Sequence, residues 1–137
     1  NPSVNVLILY KVPGSDDDDT NLNLCRWIRH KGLYTHLADN GLVASGGTDL
    51  FISGAKRSMG TDAKIGVHSW KAGNGTQASD LPKDSSEHDK YIEYYKEMGF
   101  SQQESEDFYF FTINAAVADD MHYMKPEEIE KYKLLTD

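Results

Sequence analysis

The sequence predicts an α/β fold with a mostly parallel sheet, and three observations carry that expectation. Residues 4–10 (VNVLILY) form a continuous apolar run, the pattern of a strand buried on both faces, as parallel strands are. Helical and strand patterns then alternate, which puts helices on a parallel sheet. Glycines punctuate the pattern, with Gly32 and Gly99 placed where helices should end.

The elements follow in order. The first strand runs into Pro13-Gly14, a turn signal. The acidic residues 16–19 read as a solvated loop that caps a helix over residues 20–31 and complements its positive end. They lack the ligand spacing and closing glutamate of a calcium-binding EF-hand loop. Leu24, Cys25 and Ile28 share one face of that helix. Residues 34–37 are a second strand, and Asp39-Asn40-Gly41 reads as a turn. Ser45 opens a second helix that reaches about Ala55. Residues 63–68 are a third strand. Residues 70–86, rich in Gly, Ser, Asp and Asn, are a long loop or flap. An aromatic-rich helix covers residues 87–98. Ser101 and Glu104 form a capping box for the next helix, which runs through Phe108 and Phe111 towards Ala115. Residues 118–124 lead into a short strand, and Pro126 occupies the first turn of a last helix. There are no internal repeats.

With 137 residues, one domain spanning residues 1–137 is expected, with enough chain for a single core. The net charge of -8 and the absence of a basic stripe argue against a nucleic-acid partner. No apolar run is long enough to span a membrane. The lone Cys25 excludes an internal disulfide and is expected to be buried. The chain begins at Asn1 rather than Met, so it is expected to be processed, trimmed or excised from something longer.

The chemistry centres on residues 42–70. Ala44-Ser45-Gly46-Gly47 is a small-residue elbow, and Ile65-Gly66-Val67 delivers His68. A serine at a tight turn into a helix, with a histidine ending the next strand, supplies a nucleophile and a base. Nearby backbone N–H groups favour the anion that forms. The ordinary alternative for Ser45 is a helix cap, and for His68 a hydrogen-bonded structural residue. The lipase elbow G-x-S-x-G is not met, because Val43 precedes Ser45 by two residues. His30 and His36 have no informative partner spacing, and His88 reads as a solvated first-turn residue. Asp119, Asp120, His122 and His68 lack metal-ligand spacing, so no metal and no cofactor are expected.

In combination, these segments resemble the Clp protease proteolytic subunit and the wider crotonase-like superfamily. Val12-Pro13-Gly14-Ser15 resembles the family's Pro-Gly-Gly oxyanion turn, with Ser15 in place of the second glycine. Ala44-Ser45-Gly46-Gly47 resembles its nucleophile elbow, and Ile65-Gly66-Val67-His68 the strand ending in its histidine. Residues 123–129 with 132–137 resemble its closing strand and helix. The 23-residue spacing from Ser45 to His68 is close to the family pattern. The resemblance implies a spiral of strand-strand-helix units, with the strands that usually precede the first Pro-Gly strand short or missing. It implies Ser45 as nucleophile, His68 as base, and the N–H groups of Gly14 and Gly46 as the oxyanion hole. The family's orienting acid falls near Met121, which leaves Asp120, or else Asp119, for that role. If neither reaches His68, the site is a Ser-His dyad. A homo-oligomer is likewise implied by resemblance.

Three functions are consistent with these residues. The first is a serine hydrolase of Clp-like fold acting on a peptide or another acyl substrate. The second is a crotonase-like enzyme using the same N–H groups on an acyl-thioester. The acidic residues 16–19 beside the oxyanion turn make a poor seat for coenzyme A phosphates. The third is an inactive scaffold or binding module in which Ser45 only caps a helix. The aromatic residues Tyr91, Tyr94, Tyr95 and 108–111 are expected in a core or contact rather than a substrate groove.

Overall fold

In a computed structural model, residues 3–136 are described. Asn1, Pro2 and Asp137 lie outside the described residues, Asp137 with the end of the closing pattern. The chain divides into two compact units, one running to Gly66 and resuming at Tyr123, the other from Val67 to His122. The fold is the expected mixed α/β arrangement.

The sheet is built on β1 (Val6–Val12), β2 (Tyr34–Ala44), β3 (Arg57–Met59), β4 (Lys64–Val67) and β5 (His122–Tyr123), and all of these residues but Val67 and His122 lie in the first unit. Their order is β1-β2-β4-β5, with β3 also paired to β2. β1, β3 and β4 are all parallel to β2. β2 is long enough to take β3 along Thr35–Leu37 and β4 along Leu42–Ala44. Helices α1 (Asp18–His30) and α2 (Gly46–Ile52) supply the crossovers. Asp17 caps α1 by accepting from the Thr20 N–H at 2.8 Å, the role expected of the acidic run. Leu22, not the expected Leu24, joins Cys25 and Ile28 in the buried stripe of α1, Leu24 being exposed, and Gly32 follows the helix with φ +69°. Helix α5 (Pro126–Lys131) has proline in its first turn.

Three further expectations are corrected in this unit. β1 is an edge strand, and its outer side chains are open rather than buried: Val6, Ile8 and Tyr10 are 41%, 53% and 69% exposed. Only Leu9 on the opposite side enters the core. Asp39-Asn40-Gly41 does not reverse the chain. Asn40 takes a left-handed conformation (φ 57°), the strand bulges, and pairing resumes with Lys11 opposite Leu42 after Leu9 opposite Leu37. The Asp39 carboxylate accepts from the Thr61 N–H at 2.9 Å, which holds the bulge in place. Finally, α2 stops at Ile52, and residues 57–59 form a strand the sequence reading did not contain. A three-residue strand opening on arginine gives no apolar alternation to detect.

β3 is sealed from the C-terminal side. Arg57 is 6% exposed, and its guanidinium donates to the carbonyls of Leu134 (2.6 Å), Lys133 (3.1 Å) and Gly54 (3.2 Å). The Thr136 N–H donates to the Arg57 carbonyl at 3.0 Å, so the tail docks on the β3 edge.

The second unit holds α3 (Asp89–Glu97) and α4 (Gln102–Ala115), preceded by two short 3₁₀ turns. The Ser101–Glu104 capping box opens α4 as expected, with reciprocal bonds of 3.0 and 2.9 Å. Of the aromatic residues, Tyr94, Tyr95, Phe108 and Tyr109 are buried in the core, while Tyr91, Phe110 and Phe111 are half-buried. His88 is corrected from a solvated residue to a core one, 1% exposed. Its Nε2 faces the Pro82 carbonyl (3.0 Å) and its Nδ1 the Tyr109 hydroxyl (2.8 Å). A carbonyl only accepts, so Nε2 carries a proton, and in the neutral ring Nδ1 accepts from Tyr109. Tyr109 in turn accepts from the Trp70 indole N–H at 2.9 Å. Every polar atom of this buried chain is thereby used. Burial pushes the Tyr109 phenol up to about 12, against the opposing pull of the Trp70 hydrogen bond.

Candidate active site

The parallel register of β1 and β2 sets Val12 opposite Val43, so both strands end at the same edge of the sheet. The turn after β1 and the elbow after β2 therefore emerge together, at the carboxyl ends where open α/β sheets carry their sites. Their contact is close. A Cβ on Gly46 would lie 2.4 Å from Ser15 Oγ, and a Cβ on Gly47 would lie 1.8 Å from the Val12 carbonyl oxygen. Glycine at both positions is what lets residues 12–15 lie against the elbow. Gly14 itself is exposed and faces open space. Asn21 on α1 donates to the Gly46 carbonyl at 2.9 Å and braces the elbow from the helix side.

Ser45 is half-buried and has φ 56° and ψ -123°, a region that only glycine enters without strain. It occupies the N-cap position of α2, yet its side chain makes no capping hydrogen bond. The helix-cap alternative for this serine is not what the geometry contains. The conformation is held by the backbone: the Ser45 N–H donates to the Gly66 carbonyl at 3.2 Å, and Thr48 Oγ1 donates to the same oxygen at 2.7 Å. The first N–H groups of any helix lack an intrahelical acceptor, so those of Gly46 and Gly47 are not used within α2.

His68, in the second unit, follows β4 directly and is half-buried. Its Nδ1 is 2.8 Å from the Ala118 carbonyl oxygen. That oxygen can only accept, so Nδ1 carries a proton, and in the neutral ring Nε2 presents a lone pair. This is the tautomer a general base requires.

The two acids considered for His68 are engaged with other groups. Asp119 is ion-paired to Lys71 at 3.0 Å, with its side chain 82% exposed. Asp120 Oδ1 accepts from the Met121 N–H at 2.8 Å. The acceptor on His68 Nδ1 is thus a main-chain carbonyl one residue before Asp119. Sequence reasoning looked for a carboxylate and missed Ala118, because a carbonyl acceptor leaves no mark on residue type. It also missed Gln77, whose Oε1 accepts from the Ala118 N–H at 2.6 Å. His122 packs edge-on to Phe111, with ring centroids 5.9 Å apart. Among the described residues, no group of three or more His, Cys, Asp or Glu side chains could hold a metal ion. No helix among them is long and apolar enough to cross a membrane.

No family model matches the chain, and neither does any curated protein. Among solved structures it is similar to the 1510-N membrane-bound stomatin-specific protease, in a lysine-to-alanine mutant complexed with a substrate peptide. That match has 15% identity and a TM-score of 0.56, and covers 97% of this chain and 74% of the other. A serine-to-alanine mutant of the same protease matches at 15% identity and TM-score 0.54, covering 97% and 79%. At this identity the likeness shows the fold alone, a mixed α/β arrangement like that of the protease.

Proposed function

We propose that this chain is a serine peptidase in which Ser45 is the nucleophile and His68 the general base. Ser45 Oγ attacks the carbonyl carbon of a peptide bond, and its proton passes to His68 Nε2. The N–H groups of Gly14 and Gly46 take the negative charge that develops on the carbonyl oxygen. Collapse of this intermediate breaks the C–N bond, and His68 returns the proton to the leaving amine. Water, activated by the same nitrogen, then hydrolyses the ester on Ser45.

The observation that carries this reading is the backbone of Ser45. A strained serine at a strand-to-helix turn, with its hydroxyl released from capping, is what a nucleophile elbow demands. The peptide-substrate complex of the similar fold supports a peptide as the acyl group. The acidic first turn of α1, with Asp18 3.2 Å from Ser15 Oγ, disfavours the phosphates of an acyl-coenzyme A at this turn.

The proposal is for a Ser-His dyad, with the Ala118 carbonyl in the position an acid would take. A carbonyl orients the ring and selects its tautomer but supplies less charge to the imidazolium than a carboxylate does. A fluorophosphonate probe followed by peptide mass mapping tests the reading. Label on Ser45 that is lost in Ser45→Ala and falls by about 100-fold or more in His68→Ala supports it. Folded protein that takes no label supports the scaffold reading instead.

A further inference from the structure

The loop after His68 is folded around one peptide. The Ala118 N–H donates to Gln77 Oε1 at 2.6 Å, and the Ala118 carbonyl accepts from His68 Nδ1 at 2.8 Å. An amide N–H can only donate, so the Gln77 atom facing it is its oxygen. The Ser69 N–H donates to the Ala116 carbonyl at 2.9 Å, which lays residues 116–119 along the strand exit. Lys71 pairs with Asp119 at 3.0 Å, on the far side of Ala118 from that bond.

Gln77 is itself held in place. It bridges back to Lys71 in an antiparallel pair. The turn between them closes through an Ala72 N–H bond to the Thr76 carbonyl (2.8 Å) and has Gly75 at φ +89°. The Gln77 N–H donates to Asp80 Oδ2 at 3.0 Å, and the next residue, Ala78, is fully buried. Residues 70–80, read from the sequence as a polar flap, thus form a fixed hairpin that presents two side chains to the Ala118–Asp119 segment. The Lys71–Asp119 pair is solvent-exposed and screened by salt, so it is the weaker fastening. The half-buried Gln77 bond is the stronger.

We propose that Gln77 is a positioning residue for His68, acting through Ala118. By fixing residue 118 it fixes the acceptor that keeps the proton on Nδ1 and leaves Nε2 free. The catalytic consequence rests on the reading of His68 as the base. The structural claim, that Gln77 sets the His68 tautomer, stands without it.

The test uses the whole chain with ¹⁵N-labelled histidine. Long-range ¹H–¹⁵N spectra read the His68 tautomer, and fluorophosphonate labelling reads Ser45. In the wild type, His68 is expected in the Nδ1–H form. Gln77→Leu, which keeps the side-chain bulk but removes the acceptor, is expected to mix the two tautomers and to slow labelling about 10- to 100-fold. Gln77→Glu retains an acceptor and is expected to hold both tautomer and labelling rate. Should the leucine variant not fold, Gln77→Asn withdraws the acceptor by one methylene and reads the same quantities. A His68 tautomer unchanged by removal of the Gln77 acceptor overturns the proposal. A wild type that never labels, but whose His68 tautomer is released by Gln77→Leu, overturns the peptidase reading and leaves the positioning claim standing.

Discussion

Gly47 and Val12 meet backbone to backbone: a Cβ on Gly47 would sit 1.8 Å from the Val12 carbonyl oxygen. The end of β1 and the first turn of α2 are therefore a single packed unit, and the turn after β1 cannot shift without the elbow. Gly47→Ala must push them apart. It is expected to destabilise the chain by about 2 kcal/mol or more, as overpacking of a tight contact does. Gly14→Ala, where an added Cβ meets nothing within 4 Å, is expected to leave stability unchanged. Urea unfolding of both variants checks the contrast, and equal effects would contradict it.

Ser45 gives a second, opposite-signed expectation. Its φ of 56° and ψ of -123° are strained for any residue with a Cβ. Ser45→Gly should relieve that strain and raise the unfolding free energy by about 1 kcal/mol while abolishing probe labelling. Ser45→Ala should change stability by less than about 0.5 kcal/mol, because no capping bond is lost. A capping serine would behave differently and cost about 1 kcal/mol on replacement by alanine. Thermal or urea unfolding of the two variants separates the nucleophile from the cap.

Much of this arrangement is legible in the residues. Ala44-Ser45-Gly46-Gly47 announces a tight elbow, and Ile65-Gly66-Val67 announces the strand that delivers His68. The Ser101–Glu104 capping box and the buried Cys25 follow from local chemistry alone. The errors have physical causes. Asp39-Asn40-Gly41 carries the composition of a turn, but the parallel pairing of β2 on either side absorbs it as a bulge. The apolar run of β1 is compatible with two buried faces, but which faces are covered depends on what packs on the sheet, which is non-local, and Val6, Ile8 and Tyr10 stay exposed. His88 looks solvated in a polar segment, and only the Tyr109–Trp70 chain from elsewhere makes its burial tolerable. The acceptor on His68 was unreadable for a deeper reason, since any residue could supply that carbonyl.

Tyr109 predicts the alkaline limb of stability. Its phenol is pushed up to about 12 in the fold, from an ordinary value of 10.0. Between these values the unfolded chain releases a proton that the folded chain keeps. The unfolded state then binds fewer protons, and the free energy of unfolding falls as pH rises. The stabilisation is complete below pH 10 and is lost as pH climbs through about 12. Tyr109→Phe should flatten this limb. It should also lower stability at neutral pH, because His88 and Trp70 each lose a buried partner. Urea midpoints measured from pH 7 to pH 12 read both effects, and an unchanged alkaline slope in the variant would contradict the assignment.

Arg57 ties the C-terminal segment to the sheet through the carbonyls of Leu134 and Lys133, and its guanidinium also donates to the Gly54 carbonyl. Arg57→Met fills similar space but takes this donor from the Leu134 and Lys133 carbonyls, while Gly54 keeps its bond from Arg29, and it is expected to cost about 3 kcal/mol. Arg57→Lys should recover only part of this, because an ammonium cannot reproduce the planar fork. Amide exchange at Thr136, whose N–H donates to the Arg57 carbonyl, should quicken in both variants. Protection of Thr136 unaltered in Arg57→Met would contradict this role.

Pre-steady-state cleavage of a p-nitrophenyl ester reads whether Ser45 becomes acylated with His68 as its base. The proposed Ser-His dyad predicts a burst of about one nitrophenol per chain, with the acyl group mapped to Ser45. It predicts no burst in Ser45→Ala and a burst rate lowered by about 100-fold or more in His68→Ala. A full burst from Ser45→Ala, or an acyl group mapped to any other residue, would contradict it.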